Sequence, residues 1–227
     1  MDDWDEYLGG QWADALRTVP NTGTVIEIGP GYGAKVAHGL ARLNFCGTIL
    51  LVEPDPMARE SASQAYRRLL PDATVLTQHR PVPEVGCFPG QHVDVLAGNH
   101  VVDDLLLRAA YPENVSLFTL MRPGSPCSSL FIRSWHKLLD EPGRLARVMR
   151  QVVGEVASYV RANQPRRVVL NQYPSWRHDE CGLAVIHETS LRALLLMAAE
   201  FGPAAEHSSS AGKMTWLTVR VAETSED

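Results

Sequence analysis

Apolar positions at three- and four-residue spacings open the chain: Trp4, Tyr7, Leu8, Trp12, Ala15 and Leu16. That spacing predicts a short amphipathic helix laid over something apolar. Pro20-Asn21-Thr22-Gly23 ends it, and the pattern becomes a continuous apolar run from Thr24 to Ile28, interrupted by Glu27 alone. Gly29, Gly31 and Gly33 follow at once, so the run reads as a buried strand delivering a glycine-rich turn. A helix from about Ala34 to Asn44 comes next. Thr48 to Glu53 is apolar almost throughout, as an inner parallel strand covered on both faces should be, and it ends in an acid. Asp55-Pro56 has the form of an N-cap with proline in the first turn, predicting a helix to Leu70.

The alternation continues with a third strand at Ala73 to Thr77, a proline- and glycine-rich loop, and a fourth strand at Val93 to Ala97. A helix runs to about Ala110, after which 111–142 is an insert without strong periodicity, the candidate substrate lid. A long amphipathic helix is predicted from about Gly143 to Ala162 and a fifth strand from Arg167 to Asn171. Thr189 or Ser190 is the expected cap of a helix ending at Gly202-Pro203. A strand near Ala204 to His207, a turn and a strand from Met214 to Val221 read as an antiparallel hairpin. Strand-helix alternation of this kind is an α/β architecture, a mostly parallel, doubly wound sheet closed by the hairpin. Residues 1–227 are expected to form a single domain, with 1–20 as a helical cover.

Composition narrows the partners. The formal charge is −5, which argues against wrapping a nucleic acid, and Arg144, Arg147, Arg150, Arg161, Arg166 and Arg167 read as a solvated helix face. No run of eighteen apolar residues and no signal-peptide pattern is present, so a cytoplasmic protein without a membrane partner is expected. Cys46, Cys87, Cys127 and Cys181 are scattered without a C-x-x-C pair, so they are expected to be structural thiols.

Candidate chemistry gathers where strands end. Glycines at 29, 31 and 33 permit positive φ and leave room for a ligand against the backbone, and their spacing differs from the G-x-G-x-x-G of a dinucleotide turn. Glu53, ending the second strand, offers two acceptor oxygens that suit a cis-diol. Asn99 and His100 follow the fourth strand, with Asp103 and Asp104 in the first turn of the next helix. His100 is a candidate general base because imidazole titrates near neutrality. The acids either orient a histidine, bind a substrate cation, or favour the helix N-terminus. Tyr173 and Trp176 are candidate walls for a cation, while Trp135, Trp176, His136 and His178 are also compatible with packing and surface roles. His100, His136 and His178 have no short ligand spacing, and no metal site is expected.

Glu27 to Gly33 (EIGPGYG), Glu53 and the closing hairpin together resemble the class I S-adenosylmethionine-dependent methyltransferases, from about Gly23 to Val221. The resemblance implies seven strands, with the insert between strands 4 and 5. It implies S-adenosylmethionine as cofactor, its methionine part and ribose beside Gly29, Pro30, Gly31 and Gly33, and its amino group held through Glu27. Glu53 would bind the ribose hydroxyls and Pro54 and Asp55 would border the adenine. Where the family often has an acid at the end of strand three this chain has Thr77, Gln78 and His79, so Gln78 is the candidate adenine contact. The D/N-P-P-Y/F tetrad of nucleobase and glutamine methylases is absent after strand four. The implied activity is methyl transfer to an oxygen or nitrogen of a small metabolite, with Asn99, His100, Asp103 and Tyr173 as candidate catalytic groups and Asn99 also a cofactor contact. Transfer or cyclisation of the aminocarboxypropyl arm, which leaves methylthioadenosine, and a non-catalytic cofactor-binding module are the alternatives. A homodimer is left open.

Overall fold

In the computed structural model the chain is described at residues 2–82, 88, 92–112, 128–210 and 214–221. Five parallel strands form its centre: β1 (Thr24–Ile28), β2 (Thr48–Val52), β3 (Thr74–Gln78), β4 (Val95–Asn99) and β5 (Arg167–Gln172). The hairpin β6 (Ala205–Ser210) and β7 (Met214–Arg220) completes a seven-stranded sheet in the order β3-β2-β1-β4-β5-β7-β6. Among the described residues, the pairings of β7 with β5 and β6 are antiparallel and the others parallel. The strand order reverses between β1 and β4, both of which carry their carboxyl ends to the same edge. Ligands of open α/β sheets bind in the crevice outside that edge.

Side chains alternate across each strand, and the alternation builds two cores. Val25, Ile49, Leu51, Val95 and Val169 face one way, packing under α1 (Asp2–Leu16), α2 (Lys35–Arg42) and α3 (Pro56–Leu69) through Leu8, Trp12, Leu40 and Tyr66. Ile26, Ile28, Leu50, Leu96 and Val168 face the other way. There they meet α4 (Val102–Ala110), α5 (Ser129–Leu139), α6 (Pro142–Asn163) and α8 (Val185–Phe201). A short helix, α7 (Trp176–Glu180), stands between β5 and α8. The sheet is covered on both faces, as the apolar runs of β1 and β2 predicted.

Local signals explain several boundaries. Asp55 caps α3 by accepting from the amides of Met57 and Ala58, with Pro56 as its first residue. Three expectations are corrected. β4 lies two residues later than its apolar run suggested, because Asp94 Oδ2 accepts the Thr24 amide just before the strand and Asn99 is still paired, opposite Asn171. Residues 129–139 of the insert are helical, with Phe131, Trp135 and Leu138 buried and Ser128 capping at Leu130. α8 starts at Val185, and Thr189 donates its hydroxyl to the Val185 carbonyl one turn back instead of capping. Residues 113–127 of the insert lie outside the described residues.

The basic residues divide. Arg147, Arg150, Arg161 and Arg166 are exposed, whereas Arg144 lies over the Tyr111 ring and Arg167 donates to the Ala15 carbonyl, pinning α1 to β5. Cys46 is a free, exposed thiol. Cys181 is disulfide-bonded, which corrects the expectation of structural thiols there; separation along the chain does not prevent tertiary structure from bringing cysteines together. Among the described residues no helix is long and apolar enough to cross a membrane.

Candidate active site

The glycine turn leaves β1 with Gly29 and Gly31 both at φ +60°, a conformation that glycine reaches without steric cost. The two serve different ends. A Cβ on Gly29 would collide with the Val101 side chain, so that glycine lets the turn close onto the start of α4. A Cβ on Gly31 would meet no protein atom within 4 Å, so its open side faces space that a ligand can use.

Glu53 stands immediately beyond β2 and is buried. Its Oε2 accepts the Gly31 amide at 3.0 Å and its Oε1 accepts the Asp55 amide at 3.0 Å, tying turn and strand end together. Each oxygen retains a further lone pair, so the carboxylate can still accept from two hydroxyls. Burial raises its carboxyl above the ordinary range, and the two amides oppose that rise. Glu27 is fully enclosed inside β1, where burial pushes its carboxyl up to about 8 and the Tyr66 hydroxyl, donating to Oε2, counters part of the effect. Lys35 adds a favourable positive charge nearby. Pro30 and Gly33 sit partly exposed in the same turn, closed by the Gly33 amide on the Pro30 carbonyl. Pro54 is half-buried between Glu53 and the cap Asp55, whose Oδ2 is buried without a hydrogen-bond partner.

At the end of β3 the Gln78 side-chain oxygen already accepts the amides of His79 and Arg80. That leaves its Nε2 donors for a ligand, suited to a ring nitrogen of adenine.

Across the switch point, Asn99 receives the Trp12 indole N–H at 3.0 Å and donates to the Tyr173 hydroxyl at 3.2 Å. His100 follows at φ 52°, a left-handed backbone conformation that is strained for a residue with a Cβ. Two contacts from its amide to Asn171, and Nε2 lying 2.8 Å from the Tyr173 carbonyl, hold it there. The Nδ1 atom faces Asp103 Oδ1 at 3.4 Å. Asp103 is buried in the first turn of α4, accepts a 3.3 Å hydrogen bond from Gln172 Nε2, and has its other oxygen 3.4 Å from His178 Nε2. Asp104 beside it has its carboxyl pushed well up by burial and by the like charges of Asp103 and Glu53.

The structure thus joins Glu27, Gly29, Pro30, Gly31, Gly33, Glu53 and Pro54 at one sheet edge, with Asn99, His100, Asp103 and Tyr173 beside them on β4, α4 and the end of β5. Gln78 closes the far side on β3. Tyr173 is buried under the edge of Trp4, its ring centroid 5.6 Å away, and burial raises its phenol, keeping it a neutral donor. Of the other aromatic candidates, Trp135 is core and Trp176 is 69% exposed. His136 is exposed, while His178 is buried and belongs to the cluster. Its sequence signal was topological: β4 and β5 are parallel neighbours, so the loops after them must meet. Gln172 and Trp12 carried no local signal for their roles. A separate groove of about 760 Å³, lined by Tyr32, His38, Ser61, Gln64 and Arg68 among others, includes none of the cofactor-binding candidates in its wall.

No protein-family model and no curated protein matches the sequence. Solved structures do. A structure classed as an O-methyltransferase from Nostoc punctiforme is 11% identical with a TM-score of 0.55, covering 93% of this chain and 55% of its own. The CurJ carbon methyltransferase is 11% identical with a TM-score of 0.53, covering 96% and 54%. An RNA methyltransferase from Salinibacter ruber, in complex with S-adenosylhomocysteine, is 11% identical with a TM-score of 0.50, covering 97% and 94%. The chain spans about half the length of the first two. Its strand order and these likenesses define the class I, Rossmann-like methyltransferase fold.

Proposed function

We propose that this chain is an S-adenosylmethionine-dependent methyltransferase acting on an oxygen or nitrogen of a small metabolite. The observation that carries the reading is the Glu53 carboxylate, buried at the switch-point edge and fixed by the Gly31 and Asp55 amides with acceptor capacity to spare. Such a group is preorganised for a ribose cis-diol, and the open side of Gly31 leaves room for the sugar against the backbone. Glu27, whose carboxyl burial pushes up to about 8 in the free protein, stands beneath the turn where an approaching methionine ammonium would favour its ionised form, and Gln78 Nε2 is a donor for adenine.

A sulfonium methyl is already electrophilic, so the cofactor supplies the transferable group and the protein supplies alignment and a place for the acceptor's proton. Asn99 is held rigidly by Trp12 and Tyr173 between the two halves of the site. His100, Asp103 and His178 are the polar groups on the acceptor side, placed to interact with the acceptor's reacting atom. Trp4 and Tyr7, stacked at 5.5 Å and both about half exposed, stand at the mouth beside Tyr173 and favour a small planar or cationic acceptor over a long polymer. Within the insert, helix α5 brings Phe131 against the His178 ring and covers this side of the site. A cytoplasmic location belongs to the same reading.

Calorimetric titration with S-adenosylmethionine and S-adenosylhomocysteine tests the cofactor site. Glu53→Ala should weaken both by about 10- to 100-fold, the loss of roughly 1.5–3 kcal/mol of charge-assisted hydrogen bonding. Absence of binding to the wild type, or equal binding by the variant, removes the reading. Mass spectrometry of turnover mixtures then separates the chemistries: S-adenosylhomocysteine marks methyl transfer, methylthioadenosine marks use of the aminocarboxypropyl arm, and neither with tight binding marks a binding module.

A further inference from the structure

We propose that His100, Asp103 and His178 form a binding site for a divalent first-row transition metal, of the Zn²⁺ or Co²⁺ kind, at the acceptor side of the carboxyl edge. One ligating atom from each of the three lies within 4.8 Å of the other two. On a tetrahedral ion with bonds of about 2.1 Å, two ligand atoms stand about 3.4 Å apart. Here His100 Nδ1 lies 3.4 Å from Asp103 Oδ1 and His178 Nε2 lies 3.4 Å from Asp103 Oδ2, so the carboxylate turns one oxygen to each imidazole nitrogen, and a modest turn of the side chains is what an ion between them would require.

The surroundings of each ligand fit the assignment independently. His100 Nε2 lies 2.8 Å from the Tyr173 carbonyl, a partner that can only accept. The proton therefore sits on Nε2, and the Nδ1 lone pair is turned toward a carboxylate. A backbone carbonyl holding the far nitrogen is the usual support of a metal-bound imidazole. Gln172 Nε2 donates to Asp103 Oδ1 and orients the carboxylate in the same way. His178 is 2% exposed, and neither ring nitrogen makes a hydrogen bond among the described residues. A buried imidazole whose nitrogens make no hydrogen bond among the described residues, facing a carboxylate and a second imidazole lone pair, is a setting in which a bound cation would satisfy all three groups. Two imidazoles and one carboxylate suit zinc, cobalt, nickel or ferrous iron better than magnesium or calcium, which favour all-oxygen sets. Three protein ligands leave a coordination position open on the acceptor side.

Metal binding stands apart from the methyltransferase reading; that the open position receives the acceptor oxygen rests on it. The test therefore omits S-adenosylmethionine. Chelator-stripped protein is titrated with Zn²⁺ by calorimetry and with Co²⁺ by visible absorption. One ion per chain is expected, with affinity at least about 100-fold lower in Asp103→Asn and His178→Gln and unchanged in His136→Ala, whose side chain is exposed. Circular dichroism checks that the variants fold. If either does not, wild-type crystals soaked in zinc chloride decide the matter through the anomalous signal at the zinc edge. A peak within bonding distance of the three side chains supports the site. No uptake by the wild type, undiminished affinity in folded variants, or a peak elsewhere overturns it and leaves the cluster holding a proton instead. Failure of S-adenosylmethionine to bind a protein that takes up zinc would count against the methyltransferase reading alone.

Discussion

Glu27 is the one charged side chain of β1, and all five residues of that strand are buried. An acid in such a place is held more stably protonated than ionised, which is why its carboxyl lies near 8. The sign of the consequence follows from linkage. The folded state binds the proton more tightly than the unfolded chain, so the stability tied to this group is complete below the unfolded value of 4.5 and lost as pH rises through about 8. His178 acts oppositely: burial lowers its imidazole below 6.5, so it costs stability as pH falls past that point. Without ligand, stability should peak on the mildly acid side of neutrality. Glu27→Gln keeps an acceptor for Tyr66 and removes the ionisation. Urea unfolding at pH 5 should barely separate it from wild type, whereas at pH 8 the variant should be more stable by on the order of 4 kcal/mol. Parallel pH profiles for the two proteins would show that Glu27 titrates normally.

At the scale of elements, α1 is the cover whose removal reaches the site. Leu8, Trp12 and Leu16 repeat every four residues and are fully buried, and Trp12 packs edge-on against Trp216 at 5.0 Å while donating to Asn99. Trp12→Ala should cost about 3–5 kcal/mol by opening a cavity over β4 and β7. Trp12→Phe keeps most of the packing and leaves the Asn99 oxygen unpaired, at a cost of about 1–3 kcal/mol, with cofactor affinity falling more than stability explains. Denaturant midpoints at constant slope, set beside titrations, separate the two effects. The sequence showed α1 as amphipathic because burial repeats with helical period, and it showed β1 and β2 because both faces are covered. The Asp55-Pro56 cap and the glycine turn were legible because each is local chemistry. α5 was missed although Phe131, Trp135 and Leu138 have helical spacing, since the flanking residues of the insert dilute that short repeat. The start of α8 was misplaced because a hydroxyl that bonds back within a helix looks, in sequence, like one that caps it. His178 could not be ranked above His136 without knowing which loop lies beside β4.

For the molecule as a whole, the sheet has one chemical edge and one structural edge. The carboxyl ends of β1, β2 and β4 present Glu27, Glu53, Asp103 and Asp104, the first three buried and Asp104 partly buried with its carboxyl turned inward, in a chain whose net charge is already −5. The raised carboxyls of Glu27, Glu53 and Asp104 record first the cost of burying charge at this edge and second the repulsion among neighbouring acids, a setting that would favour a cationic ligand. At the opposite edge Gly23 and Gly47 pack backbone to backbone, and the buried Asp94 carboxylate is already faced by His92 and Arg166. Hydrogen exchange can read this polarity directly. In the free protein, β1 and β4, paired on both sides and covered on both faces, should exchange slowest, and the exposed edge strand β6 fastest. Saturating S-adenosylmethionine should add protection in peptides covering 29–33, 53–57 and 99–104, while 20–24, 45–48 and 205–209 stay unchanged. That distribution follows because the ligand orders turns at one end of the sheet and contacts nothing at the other. Protection spread evenly over the strands would mean only a global gain in stability, and protection confined to the hairpin would place the ligand on the wrong edge of the sheet.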